Sequence, residues 1–292
     1  MKRSFVAAAL AAAVMTTGGM ARAITNDWVP DNEHPYVGLA VFYDADGEFL
    51  HRCSGSLIDP RTFLTAGHCT DAATGAVTAR VYFRQDAGAH YDPATELDPI
   101  SGYPETCAGG AATDPTCTTS DQLFNYGFDD FATFPNTHDA GIVILDHPIA
   151  LPEYGVLPTA GVLDALATGP GRNQAVFTVS GYGLTKTNPQ FTESYRTRLM
   201  ASARLNNLRS NNNDGFNLQT NGNGKGFGGT CSGDSGGPVF LGDTPSNLIV
   251  AVTSFGLNSW CRGTDFSYRI DRQEVLDWIA EIRAMADPVG TT

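Results

Sequence analysis

Cys231-Ser232-Gly233-Asp234-Ser235-Gly236-Gly237-Pro238 decides the reading of this 292-residue chain. A serine hydroxyl is a poor nucleophile at neutral pH, so a serine that does chemistry needs a nearby base and donors for the oxyanion that its attack creates. The octapeptide can supply the donors, because its glycines let the backbone turn sharply and aim successive N–H groups at one point. Asp-Ser-Gly by itself is an ordinary turn. The longer stretch becomes a nucleophile loop only if a base, and an acid to orient it, stand elsewhere in the chain.

Both have candidates upstream. Phe63-Leu64-Thr65-Ala66-Gly67-His68-Cys69 is an apolar strand end running into a small-residue bend that delivers an imidazole. His138-Asp139-Ala140-Gly141-Ile142-Val143-Ile144-Leu145 puts a carboxylate directly before a buried-type strand, where an aspartate can also serve simply as a cap. The octapeptide resembles the active-site serine segment of the chymotrypsin-like (trypsin-fold) serine proteases. Thr65 to Cys69 match that family's histidine motif residue for residue. Asp139 is similar to its third catalytic residue, with Ala140-Gly141 a variant of the usual following pair. The candidates occur in the order His, Asp, Ser, which is the chymotrypsin order and not that of subtilisin or the α/β-hydrolases.

The resemblance implies an all-β fold of two six-stranded antiparallel β-barrels with a C-terminal α-helix. It implies a serine endopeptidase, of the bacterial secreted type, that hydrolyses peptide bonds through an acyl-enzyme. In that scheme Ser235 attacks, His68 takes its proton, Asp139 holds the imidazole tautomer, and the N–H groups of Gly233 and Ser235 receive the oxyanion. The same match implies a Cys53–Cys69 bridge that fixes the bend carrying the base, and a Cys231–Cys261 bridge that fixes the pocket walls. Family members switch on when a new N-terminal Ile or Val folds inward to pair with the aspartate before the serine, here Ile24 with Asp234. Ile24-Thr25-Asn26-Asp27 departs from the usual Ile-Val-Gly-Gly. No cofactor and no metal is expected. A catalytically silent binding protein on the same fold, or an esterase using the same triad, shares these motifs.

Specificity is less legible. Tryptic members carry an aspartate six residues before the serine, and that position here is Gly229. Ser254-Phe255-Gly256 is similar to the family's Ser-Trp-Gly segment, which supports the aspartate and pairs with substrate backbone as an added strand. After Cys261 the wall reads Arg262-Gly263-Thr264-Asp265-Phe266, and the shortened segment puts either Asp265 or Phe266 into the pocket. Asp265 favours Lys or Arg from a different wall. Phe266 shrinks the pocket and favours small apolar residues.

Lys2 and Arg3, the apolar run Phe5 to Val14, and Ala21-Arg22-Ala23 read as a signal peptide over 1–23, followed by a peptidase domain over 24–292. That domain divides into barrels at about 24–150 and 151–270, with a terminal helix at about 272–286, where Val275, Leu276, Ile279 and Ile282 share a face. Signal cleavage after Ala23 itself exposes Ile24, so no separate zymogen step is expected. Removing 1–23 takes away three basic residues and no acidic one, and the formal charge of −13 becomes −16. An acidic chain argues against nucleic acid or an anionic membrane as partner, and the apolar run is short for a span. Protein or peptide substrates, a soluble monomer, and a location outside the cell or in a periplasm are expected.

Six cysteines in an exported chain suggest three bridges, and spacing alone leaves fifteen pairings. Arg84 to Thr137 reads as an irregular insertion stapled by its own Cys107–Cys117 bridge, and Asn206 to Gly229 as loops. Tyr36 to Ile58 reads as a hairpin around the acidic turn Asp44 to Glu48, which lacks the ligands of a calcium loop.

Overall fold

The computed structural model describes residues 24–87, 116–168, 175–188, 191–193 and 197–286. Short β-branched and aromatic runs separated by turn residues favour antiparallel pairing of chain neighbours, and two such sheets account for most of the fold. In the first, the order is Cys117–Ser120, Thr78–Tyr82, Val37–Tyr43, Phe49–Leu57, Thr62–Thr65, Gly141–Ile144, Gln122–Asn125. Val37–Tyr43 is buried along its whole length because it is paired on both sides and covered on both faces. At the hairpin, Asp44 Oδ1 accepts from the N–H groups of Asp46 at 3.0 Å and Glu48 at 2.8 Å, the work of a turn aspartate.

In the second sheet Val176–Gly181, Pro238–Leu241, Ile249–Gly256, Thr264–Arg269, Asn217–Asn221 and Leu199–Asn207 follow one another, and the last pairs back on to the first. That closes a six-stranded barrel. Val29–Pro30 joins it as a seventh strand beside Leu199–Asn207, so the N-terminal segment belongs to the second barrel although it precedes the first in the chain. Thr25–Asn26 pairs with Gly228–Gly229, and Ile24 is fully buried in the second barrel's core with Phe177, Leu199 and Leu218.

The C-terminal helix Gln273–Ala286 turns Val275, Ile279 and Ile282 inward at helical spacing. They join the core of the first barrel, so the last element of the chain straps back across the barrel boundary. Arg283 Nε to Asp59 at 2.8 Å and the Trp278 ring 5.2 Å from Tyr126 mark the same crossing.

Two expectations are corrected. The 84–137 stretch is not irregular throughout, since Cys117–Ser120 and Gln122–Asn125 complete both ends of the first sheet, which therefore has seven strands and not six. Asn206–Gly229 is likewise not all loop, because Asn217–Asn221 is an inner strand of the second barrel. Its Asn-Leu-Gln-Thr-Asn composition hides the usual alternation, and only pairing on both sides makes it a strand. The expected Cys107–Cys117 bridge rests on Cys107, which lies outside the described residues; Cys117 itself is disulfide-bonded.

Cys53–Cys69 and Cys231–Cys261 are formed. Cys53–Cys69 spans 16 residues, so it restrains the unfolded chain by about 3 kcal/mol in the loop-entropy picture. The double variant Cys53→Ala/Cys69→Ala is expected to lose that amount of stability in denaturant unfolding, with a slope equal to or steeper than that of the wild type because the unfolded chain is released; an unchanged stability contradicts it.

Candidate active site

His68 follows the strand Thr62–Thr65 in a tight turn, Gly67–Cys69, that the Cys53–Cys69 bridge ties to the neighbouring strand. Asp139 directly precedes the strand Gly141–Ile144, which pairs with Thr62–Thr65, so adjacent strands deliver base and acid to the same end of the first barrel. The Asp139 carboxylate has no solvent exposure. It accepts the His68 backbone N–H at 2.8 Å, faces His68 Nδ1 at 3.1 and 2.9 Å, and accepts the Ser254 hydroxyl from the second barrel. A carboxylate against Nδ1 fixes the proton there and leaves the Nε2 lone pair free.

Burial opposes charge on both partners, but their mutual attraction and hydrogen bonds outweigh it. His68 is raised above its ordinary value by Asp139, with a further contribution from Asp71. Asp139 is lowered by His68 and by the Ser254 hydroxyl.

The serine loop is held from the first barrel by one residue. The Ser54 N–H donates to Ser235 O at 2.7 Å, while its hydroxyl donates to Gly233 O at 2.8 Å and accepts from Tyr182 N at 2.9 Å. Gly233 has φ +94° and Gly236 φ +78°, and a Cβ on Gly236 would lie 2.0 Å from Thr65 Oγ1. Only glycine fits at such positions. Carbonyls of the loop are thus turned toward Ser54, and among the described residues no acceptor faces the N–H groups of Gly233 and Ser235. Ser235 and His68 line one open cavity of about 700 Å³ with Ser254, Phe128 and Phe131. Their side chains stand together there without a hydrogen bond between them among the described residues.

A second cavity of about 300 Å³ opens beside Ser235 and is lined by Thr230, Ser254, Phe255, Gly256, Arg262 and Asp265, among others. Asp265, 5 % exposed, accepts Thr230 N–H at 2.9 Å. Burial pushes its carboxyl up to about 6, against that hydrogen bond. Gly229 lies under it, where a Cβ would come within 2.7 Å of Asp265 Oδ2. Phe266 is on the other face of its strand, fully buried and stacked 4.5 Å from Phe255, and does not line the cavity. Strand alternation puts the two side chains on opposite faces, with Phe266 opposite Phe255 and Asp265 opposite Gly256.

Asp234 has no exposure and accepts Gly183 N–H at 2.8 Å and Cys231 N–H at 2.9 Å. Burial pushes it up to about 7, these two bonds oppose, and the Asp265 charge adds. No described cationic side chain pairs with it. In the full chain the Ile24 nitrogen is a peptide amide and carries no charge.

Sequence reading assigned nothing to Ser54, whose one local signal is its place beside Cys53. It also assigned nothing to Phe128, Phe131 and Phe134, which sit in the stretch read as an insertion.

A fold of two barrels with His, Asp and Ser gathered at their seam defines a class, the chymotrypsin-like proteins. The model of the Trypsin family matches residues 24–101 and 133–279, and the chain belongs to that family. A CLIP domain-containing serine protease B10 of Anopheles gambiae is 28 % identical over 51 % of this chain, which spans only 42 % of that protein. Chymotrypsin-like elastase family member 1 of Felis catus is 24 % identical over 76 % of this chain and 75 % of its own length. The solved HL collagenase structure superposes with a TM-score of 0.60 at 20 % identity, covering 86 % of this chain and 94 % of that one. These two relatives are animal proteins, and the finer expectation of a bacterial-type member finds no support in them. No helix among the described residues is long and apolar enough to cross a membrane.

Proposed function

We propose that this protein is a secreted, monomeric serine endopeptidase that cleaves protein or peptide substrates by acyl transfer. The observation that carries the reading is the bonding of one buried carboxylate, Asp139, to His68 and Ser254, with Ser235 on the cavity that His68 lines. Ser235 Oγ attacks the scissile carbonyl as His68 Nε2 takes its proton, and Asp139 stabilises the imidazolium that forms. The tetrahedral oxyanion settles on the unpartnered N–H groups of Gly233 and Ser235. His68 then gives its proton to the leaving amine, and water, activated by the same imidazole, hydrolyses the ester on Ser235.

The residue before the scissile bond enters the 300 Å³ cavity, where Asp265 offers a carboxylate to Lys or Arg. Because that carboxyl is raised to about 6, its charge is present at pH 8 and fades as pH falls through 6. Activation follows signal-peptide removal. Cleavage after Ala23 turns the Ile24 amide into an ammonium that pairs with Asp234, drawing its carboxyl down from about 7. Breaking such a buried pair costs about 3–5 kcal/mol, enough to disorder the oxyanion loop.

A fluorophosphonate is expected to label Ser235 and to leave Ser235→Ala unlabelled. The labelling rate should rise with pH as His68, held above 6.5, loses its proton. An unlabelled wild type would leave a silent member of the fold, and a rate flat from pH 5 to 8 removes His68 as base. In peptide-library cleavage at pH 8, Asp265→Ala should lower the preference for Arg over Leu before the scissile bond by roughly 10- to 100-fold, the worth of a hydrogen-bonded charge; an unchanged ratio rejects Asp265 as the determinant. N-terminal sequencing of active secreted protein is expected to begin at Ile24, and any other start refutes the activation scheme.

A further inference from the structure

A peptide bond is open to a protease when it is exposed, follows a side chain that the pocket accepts, and lies in a segment that can be drawn out straight. The pocket proposed above takes Lys or Arg, and the chain carries such residues on its own surface. Among the described residues Arg204, Arg209, Lys225, Arg262 and Arg283 are exposed. Arg204 lies inside the strand Leu199–Asn207, Arg283 inside the terminal helix, and Arg262 next to the bridged Cys261. Beyond Arg209 the Ser210 carbonyl accepts the N–H groups of Asn213 and Asp214 at 3.0 and 2.8 Å, which locks that segment into a turn.

Lys225 is held less. It stands between two glycines in the run Asn221-Gly222-Asn223-Gly224-Lys225-Gly226-Phe227-Gly228. Residues 223–226 are all exposed, and the run is anchored only at its ends, by the strands Asn217–Asn221 and Gly228–Gly229. Between the anchors the Phe227 N–H reaches Gly224 O at 3.2 Å, Asn26 Nδ2 reaches Gly222 O at 3.2 Å, and the Gly226 N–H donates to the Asp27 carboxylate. Glycine on either side of Lys225 lets the backbone straighten and brings no side chain against a cleft. With only Phe227 between Gly226 and the strand Gly228–Gly229, which lies under Asp265, the run cannot cross its own Ser235 and has to enter the cleft of another molecule.

We infer that the Lys225–Gly226 bond is a self-processing site, cut by a second copy of this protein, and that Asp27 holds the terminus the cut creates. The inference rests on the protease reading and the Asp265 pocket above. Ser235 Oγ bonds to the Lys225 carbonyl carbon, the Lys225–Gly226 bond breaks as His68 protonates the Gly226 nitrogen, and water then releases Lys225 as a carboxylate. The Gly226 nitrogen already donates to Asp27, and as an ammonium it makes a charge-assisted hydrogen bond there. Asp27 follows Thr25–Asn26, which pairs with Gly228–Gly229, so the new terminus keeps its register. Each described bridge lies within one piece, Cys53–Cys69 before the cut and Cys231–Cys261 after it. The pieces stay together through the second barrel, where Asn217–Asn221 of one pairs with Thr264–Arg269 of the other.

The test incubates concentrated full-length mature protein at pH 8 and follows it by intact mass and N-terminal sequencing. Wild type should yield a piece beginning Gly226-Phe227-Gly228 that separates in denaturant without reductant. Ser235→Ala should stay whole alone and acquire the same cut from a trace of wild type. Lys225→Gln should stay whole at this bond, Lys225→Arg should be cut, and Asp265→Ala should slow the cut roughly 10- to 100-fold, the worth of a hydrogen-bonded charge. Cut wild type should elute as one species in size exclusion, and cut Asp27→Ala should release residues 226–292 at lower urea than cut wild type while the uncut forms share a midpoint. Enzyme that a fluorophosphonate labels and that cleaves Arg peptides, yet leaves this bond whole or is cut at Arg209–Ser210 instead, overturns the site alone. A cut in Ser235→Ala without wild type does the same. Unlabelled wild type overturns the protease reading, and labelled enzyme that rejects Arg peptides overturns the pocket; either takes the site with it. Pieces that part in size exclusion, or equal urea midpoints for the two cut forms, overturn the role of Asp27.

Discussion

A carboxylate taken wholly out of water has to have its charge answered by the protein, and at Asp139 the answer comes from both barrels. His68 supplies its backbone N–H and its ring from the first, and Ser254 supplies its hydroxyl from the second. Neither barrel alone solvates the group. A buried anion left with half its partners is strongly destabilising, so the docking of the barrels and the ionisation of Asp139 are coupled. The same contact fixes the His68 ring, which gives one interaction both a structural and a chemical consequence. The terminal helix, strapped on to the first barrel, and Val29–Pro30, added to the second, hold that seam closed from both ends of the chain.

Three buried aspartates near Ser235 show how far partners decide what a side chain is. Asp139, with three donors close by, one of them the His68 imidazole, lies below the ordinary carboxylate range. Asp265 has one backbone donor and is raised to about 6; Asp234 has two, is the more enclosed, and is raised to about 7 with the charge of Asp265 adding to the strain. Burial pushes all three the same way, and only the count and charge of the partners separates them. Raised groups of this kind hold an unmet demand for a cation. A basic substrate side chain at Asp265 and an ammonium at Asp234 are the two cations the proposed function brings, and each lessens the cost of ionising the other's partner.

The residues of the proposed chemistry can be picked out in the sequence because their motifs are local. Thr65 to Cys69, His138 to Leu145 and Cys231 to Pro238 each contain the residue, the bend that presents it and the strand that anchors it. Two barrels and a terminal helix followed from the resemblance these motifs carry. The sequence was silent where an element is defined by its neighbours. Asn217–Asn221 has little strand character of its own and exists because Thr264–Arg269 and Leu199–Asn207 flank it. Ser54 looks like any strand serine until the serine loop folds against it from 179 residues away. Asp265 and Phe266 could not be told apart without the cross-strand register, since a one-residue slip exchanges the faces of a strand.

That division has a physical basis in where tolerance lies. A nucleophile, its base and its orienting acid work only within hydrogen-bond geometry, so short rigid motifs carry them and leave little room for drift. Substrate selection asks for less. An apolar contact needs area and not direction, and a carboxylate can reach a cation from more than one wall of a cavity. Gly229 and Asp265 illustrate the second point. In the proposed pocket Gly229, six residues before Ser235, carries no side chain, and the Asp265 carboxylate on the strand Thr264–Arg269 occupies the space that a Cβ there would need. Charge in the proposed pocket is therefore placed by the fold and not by the motif.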